Sequence, residues 1–319
     1  MKKNLVIAMA ALSMATLAGC SNNAATTTTA ATTAATTAAT EAATEATTAA
    51  ETAAETTAEA TAAADELDPN CRLAKVLESG KLTIGTAPDF APMEFKDVSS
   101  GETEYVGSDM EFAKYIAEKL GVELEIKPME FSAIQQAVQS GTIDAGISGF
   151  AYTEERAASY GVSDLYNIQP DDKGHTLLVK KGEGANYDEA ADFSGKKVLA
   201  QNASLQQSLV TAQLPEDIEF QPVTAVTDGV LMIINDKADA LAVSWDNGEM
   251  LMASYPEIEM TNWKFDHEDE GNIILMKQGE DELIAAINEI IAEVNESGIY
   301  DQWTEEAEAL AEKLGINND

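Results

Sequence analysis

Basic residues, cysteine and histidine are scarce in this 319-residue chain, and each shortage removes a class of function. Nineteen Lys and Arg stand against 56 Asp and Glu, a formal net charge of −37. Nucleic acid and anionic membrane surfaces repel a chain of that sign, so neither is expected as a partner; the charge favours solubility instead. Two cysteines, Cys20 and Cys71, are too few for a disulfide framework or a Cys-rich zinc site, and no cofactor is expected. The two histidines, His175 and His267, lie far apart in polar, turn-like stretches and are expected at the surface. Long apolar runs are missing as well. The run near the start, Leu5 to Ala15, is shorter than the about 20 residues that a membrane-spanning helix needs.

What is present begins with that run. Lys2 and Lys3 precede it, and Leu17-Ala18-Gly19-Cys20 follows it, a charged start, a short apolar stretch and small residues before a cysteine. The pattern reads as a bacterial lipoprotein signal over residues 1–19, removed on export. Cys20 would then become the N-terminus and carry a diacylglycerol through its sulfur, anchoring the chain to the membrane outside the cytoplasm. An ordinary secretory signal with a coincidental cysteine is the alternative. With Cys20 acylated, Cys71 is left as a single thiol. From Cys20 to residue 64 the chain is almost wholly Ala and Thr with interspersed Glu. Lacking large apolar side chains, it cannot offset its ordering entropy and reads as a disordered tether, spanning roughly 40 Å if it behaves as a flexible coil.

Residues 65–319 alternate strand and helix signals. Leu82-Thr83-Ile84 and Val122, Leu124 and Ile126 read as strands, and between them Phe112, Ala113, Ile116 and Leu120 share one helical face that ends at Gly121. A helix near Ser132–Gln139 stops at Gly141 before a strand over Asp144–Ile147. The alternation resumes with strand Lys197–Ala200, a helix from about Ser204, another near Gly229–Ile234 and strand Ala240–Val243. Leu283, Ile287, Ile290 and Val294 then mark a helix closed by Gly298, and Trp303 begins a last one. Strand and helix in turn mean parallel crossovers, hence an α/β fold.

Several segments occur in a telling order: Gly85-Thr86-Ala87-Pro88-Asp89-Phe90-Ala91-Pro92-Met93-Glu94-Phe95, then Val106-Gly107-Ser108-Asp109, then Lys127-Pro128-Met129-Glu130-Phe131-Ser132. Gly141-Thr142-Ile143-Asp144-Ala145-Gly146-Ile147-Ser148-Gly149 and Tyr152-Thr153-Glu154-Glu155-Arg156 follow. Gly195-Lys196-Lys197-Val198, Lys237-Ala238-Asp239-Ala240 and Ser297-Gly298-Ile299-Tyr300-Asp301-Gln302-Trp303 complete the set. In these pieces the chain resembles the family 3 solute-binding proteins of amino-acid ABC importers, and around Lys127–Ser132 their glutamine-binding members. The resemblance implies a two-lobed periplasmic-binding-protein-like fold of type II, each lobe a mostly parallel sheet flanked by helices. Lobe 1 would comprise residues 65–170 and 269–319, and lobe 2 residues 171–268.

A free amino acid needs a cation for its carboxylate, acceptors for its ammonium and a shaped slot for its side chain. Arg156 suits the carboxylate, since guanidinium presents a planar fork to two oxygens; Thr153 is placed to cap the helix that carries it. By resemblance, Phe90 and Phe131 sandwich the ligand, and the backbones of Gly149 and Ala151 touch its main-chain atoms. Gln201 and Ser204 belong to a helix-start loop that faces the carboxylate. Two departures stand out. Relatives commonly carry Ser or Thr at Ala151, and they place an acid for the ammonium where this chain has Ser244; Asp246, two residues on, is the substitute candidate. Relatives also often carry an acid at Ala87. These losses argue against a cationic ligand.

The expected function is capture of a free, polar amino acid by hinge closure of a monomer and its delivery to a membrane permease with its ATPase subunits. Two readings compete. A cyclohexadienyl-dehydratase-like enzyme on the same scaffold would need a general acid in the cleft, with Asp246 or Asp89 as candidates. A chemosensory binding protein would present the closed lobes to a receptor instead. The N-terminal module of lytic transglycosylases, another similar fold, is not expected, since it would be followed by a lysozyme-like domain.

Overall fold

The computed structural model describes residues 67–168, 173–267 and 271–316, all within one compact unit. The expected signal, Cys20 and the tether lie outside the described residues.

Four helices and six strands come first among the described residues. Helix α1 (Arg72–Ser79) leads into strand β1 (Lys81–Thr86), and strands β2 (Phe95–Asp97) and β3 (Glu104–Val106) form a small hairpin. Then come helix α2 (Ser108–Leu120), strand β4 (Glu123–Pro128), helix α3 (Phe131–Ser140), strand β5 (Ala145–Gly146), helix α4 (Glu154–Ser159) and strand β6 (Gly161–Val162). Glycine closes α1, α2 and α3 at Gly80, Gly121 and Gly141, all with left-handed backbones of the kind that only glycine adopts without steric cost. Cys71, whose thiol was left over in the sequence, caps α1: its Sγ accepts the Ala74 N–H at 3.4 Å.

The chain then builds a second sheet from β7 (His175–Lys180), β8 (Lys197–Gln201), helix α5 (Leu205–Gln213), β9 (Glu219–Val223), helix α6 (Val226–Ile234), β10 (Ala240–Ser244), helix α7 (Trp245–Ser254) and β11 (Ile258–Lys264). It returns through β12 (Leu275–Met276) and ends in helices α8 (Asp281–Ser297) and α9 (Ile299–Lys313).

The two sheets share one plan. In the first, the order is β4-β1-β5-β12-β6; in the second, β9-β8-β10-β7-β11. Three parallel strands sit at one side of each sheet, and the strand that follows each crossing between lobes, β12 or β7, enters antiparallel beside them. Parallel strands need both faces covered, and both sheets have that. Leu82, Ile84, Phe112, Ile116, Ile287 and Val294 pack on one face of the first, Ile134, Val138, Ile143 and Phe150 on the other. Separate clusters around Phe193 and Val210, and around Val230 and Ile233, cover the second.

The two crossings meet. Tyr166 and Asn272 exchange both backbone hydrogen bonds, at 2.9 and 2.8 Å, and the Asn167 side chain donates to Asn272 Oδ1 at 2.8 Å. Gly271 beside them has φ +126°, and a Cβ there would fall 2.9 Å from the Tyr166 carbonyl oxygen. A larger residue would force the crossings apart, so this glycine is dictated by close backbone approach.

Candidate ligand-binding site

Parallel strands in an α/β sheet gather functional loops at their carboxyl ends, and here both sheets point such loops into one cleft. β1 runs out into the loop carrying Asp89, Phe90 and Glu94; β5 runs out into Ser148, Gly149 and Ala151. α4 brings Arg156, and its N-cap is Thr153, whose Oγ1 accepts the Arg156 N–H at 3.1 Å. From the second lobe, β8 delivers Gln201 to a turn in which Ala203 has φ +62°, and Ser204 caps α5 by accepting the Gln207 N–H at 3.1 Å. β10 ends at Ser244, directly before α7.

Two adjoining spaces result. A narrow pocket of about 30 Å³ is lined by Phe131, Arg156, Gln201 and Ser204 together with Asp89 and Glu94. An open cleft of about 450 Å³ is lined by Ser244, Asp246, Asn247, His175 and the crossing residues Asn167 and Asn272. Phe90, Gly149, Ala151 and Gln206 border both. The nine candidate residues from the sequence therefore line these two adjoining spaces, with Arg156 in the narrow one and Ser244 and Asp246 in the wide one. Asp246 is exposed, and its Oδ1 lies 3.4 Å from Lys173 Nζ.

Arg156 is only 7% exposed. Its guanidinium lies over the rings of Phe131 and Phe150, 5.8 and 5.3 Å from their centres, a geometry that stabilises a buried cation. Nη1 donates to the Ala151 carbonyl at 2.5 Å, and Nη2 donates to the Ala203 carbonyl of the other lobe at 3.3 Å. Gln135 donates to the same Ala203 carbonyl at 3.1 Å. Phe90, from the first lobe, packs against the second lobe's core.

Behind the pocket lies a buried acid network spread over 200 residues of sequence. Gly149, at φ +52°, turns its N–H away from the cleft to donate to Asp109 Oδ2 at 2.8 Å. Asp109 also accepts from Tyr166 Oη at 3.1 Å and Tyr300 Oη at 2.7 Å. Glu94 accepts from Ser148 Oγ at 2.7 Å, and the same oxygen of Ser148 receives the Ala87 N–H at 3.0 Å. Burial pushes both carboxyls up, and the Asp109 charge raises Glu94 further. The three donors on Asp109 decide which keeps its charge. They lower the Asp109 carboxyl against its burial, whereas Glu94 is held up further and its Oε2 has no hydrogen-bond partner among the described residues.

Sequence reasoning offered Asp89 only as a general acid for the enzyme reading, not as a ligand-binding residue, and misplaced His175. Ala87 is not acidic, but Asp89 lies in the same loop and lines the Arg156 pocket. Burial raises its carboxyl from the ordinary 3.8 to about 6, partly offset by the Val226 N–H that its Oδ2 accepts at 3.1 Å. The signal was available, an acid immediately before Phe90. His175 is not at the surface: it opens β7, pairs with Ser244 across the sheet, is 2% exposed and meets Gln206 Nε2 at 3.2 Å through Nδ1. Its ring centre lies 5.6 Å from that of His267, because the two crossings bring these distant stretches together.

Fold and site together define a bilobal clamp of the type II periplasmic-binding class: two similar sheets, paired crossings and a cleft with one buried guanidinium. The chain belongs to the bacterial extracellular solute-binding proteins, family 3, whose model matches residues 82–306. It is 32% identical over 169 residues to the arginine-binding extracellular protein ArtP of Bacillus subtilis (strain 168), covering 52% of this chain and 62% of ArtP. It is 29% identical over 237 residues to the glutamine-binding protein GlnH of the same organism, covering 72% and 82%. Among solved structures, the amino acid ABC transporter substrate-binding protein AbpA from Streptococcus pneumoniae Canada MDR_19A, bound to L-arginine, matches with a TM-score of 0.70 and 31% identity, covering 76% of this chain and 99% of that one.

Proposed function

We propose that this chain is the substrate-binding component of an amino-acid ABC importer, a lipoprotein tethered through Cys20 outside the cytoplasm that passes its ligand to a membrane permease and its ATPases. The observation that carries the reading is Arg156: a buried guanidinium stacked on two rings, in a pocket walled by both lobes, where an α-carboxylate gains charge-assisted hydrogen bonds in a dry site. Phe90 and Phe131 exclude water from it, and the N-terminus of α5 at Ser204 adds donors from the second lobe. Gly149 spends its N–H on Asp109, so its carbonyl is the group it offers a ligand.

Hinge closure follows from the same geometry. A ligand touching Arg156 on one lobe and the Ser204 loop on the other has most contacts in the closed form, and its affinity difference between open and closed states sets how far it shifts the lobes. Nothing in that cycle breaks a bond, so we assign binding and not turnover. Names of relatives point to polar and cationic amino acids, with arginine, glutamine, histidine and cystine among them. The discriminating experiment is thermal unfolding of ligand-stripped protein against each of these. A true ligand at 100 times its Kd stabilises by about 2.7 kcal/mol and raises the midpoint in a concentration-dependent way. An unchanged midpoint with all four at millimolar concentration would contradict the proposal.

A further inference from the structure

We infer that Asp89 is the acid that holds the α-ammonium of the bound amino acid, with one carboxylate oxygen toward the ligand and the other fixing the second lobe. The inference rests on the amino-acid-binding reading above and adds to it the anionic half of the site, which neither Ser244 nor Asp246 supplies near Arg156.

Geometry carries it. Asp89 and Arg156 line the same narrow pocket, one acid and one cation walled by Phe90 and Phe131, which is the charge pattern of a zwitterion in negative. Glu94, the other acid lining it, is buried and held by Ser148, and its burial beside Asp109 opposes ionisation, so Asp89 is the carboxyl there that an ammonium can pair with. Ser244 brings no charge, and Asp246 is exposed in the wide space, beside Lys173.

The two oxygens of Asp89 differ. Oδ2 accepts the Val226 N–H at 3.1 Å, reaching from the first lobe to the first residue of α6 in the second. That helix has no side-chain cap of its own at Ala225, so the carboxylate takes the capping place from across the cleft. Oδ1 receives no hydrogen bond from another side chain among the described residues. An ammonium seated on Oδ1 would keep the carboxyl ionised, and the ionised form is the better cap for α6. Ligand binding and closure thus reinforce each other through one side chain.

The titratable and charged groups facing Asp89 are Lys96 on β2, which lowers its proton affinity, Asp228 on α6, which raises it, and Glu94 and Arg156 in the pocket. With its carboxyl raised to about 6 in the empty site, ammonium binding must expel a proton at lower pH, so affinity falls about tenfold per pH unit below that value.

The test uses the full chain in detergent and two pairs of probes: L-arginine against 5-guanidinopentanoic acid, and L-glutamine against glutaramic acid. Each pair differs only by the α-ammonium. The inference predicts that whichever amino acid binds the unmodified chain loses 30-fold or more in affinity on Asp89→Asn, while its amine-free partner changes less than threefold. Equal losses for both members of a pair would show that Asp89 only closes the lobes and would overturn the assignment. Loss of arginine together with its amine-free partner, with glutamine unaffected, would place Asp89 on the side chain and overturn it too. Unaltered binding by Asp89→Asn refutes this inference alone; no binding of L-arginine, L-glutamine, L-histidine or L-cystine to the unmodified chain refutes the amino-acid reading with it. Asp89→Ala repeats the comparison should the asparagine variant unfold.

Discussion

Replacing Arg156 with alanine separates its role in binding from its role in folding. In the folded chain the guanidinium is 7% exposed, and its two terminal nitrogens hold carbonyls on opposite lobes, Ala151 and Ala203. A hydrogen bond to a charged group is worth about 1.5–3 kcal/mol net, and removing one partner of a buried charge pair costs about 2–5 kcal/mol because the other charge stays uncompensated. The ligand carboxylate keeps the N–H groups at the Ser204 helix start, so the lower half of that range applies. Arg156→Ala should weaken binding by about 3 kcal/mol, roughly 150-fold. Arg156→Lys keeps the charge and loses the fork, since one ammonium cannot reach both Ala151 and Ala203 in that planar geometry; about tenfold of the loss should remain. Isothermal titration well below each variant's unfolding temperature measures both. An alanine variant within threefold of the unmodified chain would refute the carboxylate assignment, and a lysine variant as weak as the alanine one would refute the argument from charge.

Asp109→Asn puts an amide where Gly149 N–H and two tyrosine hydroxyls converge, so it should cost about 3 kcal/mol in denaturant unfolding; a cost under 1 kcal/mol would mean the network is not anionic. Asp89 binds its proton more tightly folded than unfolded, so ligand-free stability from this group is full below about pH 4 and is lost as pH rises toward 6 and above. Relative to Asp89→Asn, the unmodified chain should lose roughly 2 kcal/mol between pH 4 and 7, and parallel stability curves would contradict this. Cys20→Ala should release the chain from the membrane fraction into the soluble one, and retention would refute lipidation at that sulfur.

Local chemistry made much of the site legible. Thr153 and Ser204 are caps because a hydroxyl beside a helix start has one nearby use, and each fixes the position of a neighbour, Arg156 or the loop at Gln201. Helices ending at Gly121, Gly141 and Gly298 were readable for the same reason, a left-handed residue that only glycine occupies cheaply. What sequence could not show was set by distant pairing. Asp109 reads as one more acid near a helix start, and only the fold brings Tyr166 and Tyr300 to it. Lys173 and Gly174 make His175 resemble part of a turn, yet the crossing carries it into a buried strand beside β10. Asp89 entered the sequence reading only as a general acid, because the ammonium partner was sought at Ala87 and Ser244, positions fixed by resemblance, while the fold puts the Asp89 carboxyl in the Arg156 pocket from a different point on the Ala87 loop.

The central claim, that the two lobes close on a free amino acid, is tested most directly by calorimetric titration. The full chain would be unfolded and refolded to strip any ligand, then titrated with L-arginine, L-glutamine, L-histidine and L-cystine. The account predicts saturable one-to-one binding of at least one of them, at about micromolar Kd or about −8 kcal/mol, with the negative heat-capacity change of apolar burial as Phe90 and Phe131 lose water. No saturable heat with any of the four at millimolar concentration would contradict it.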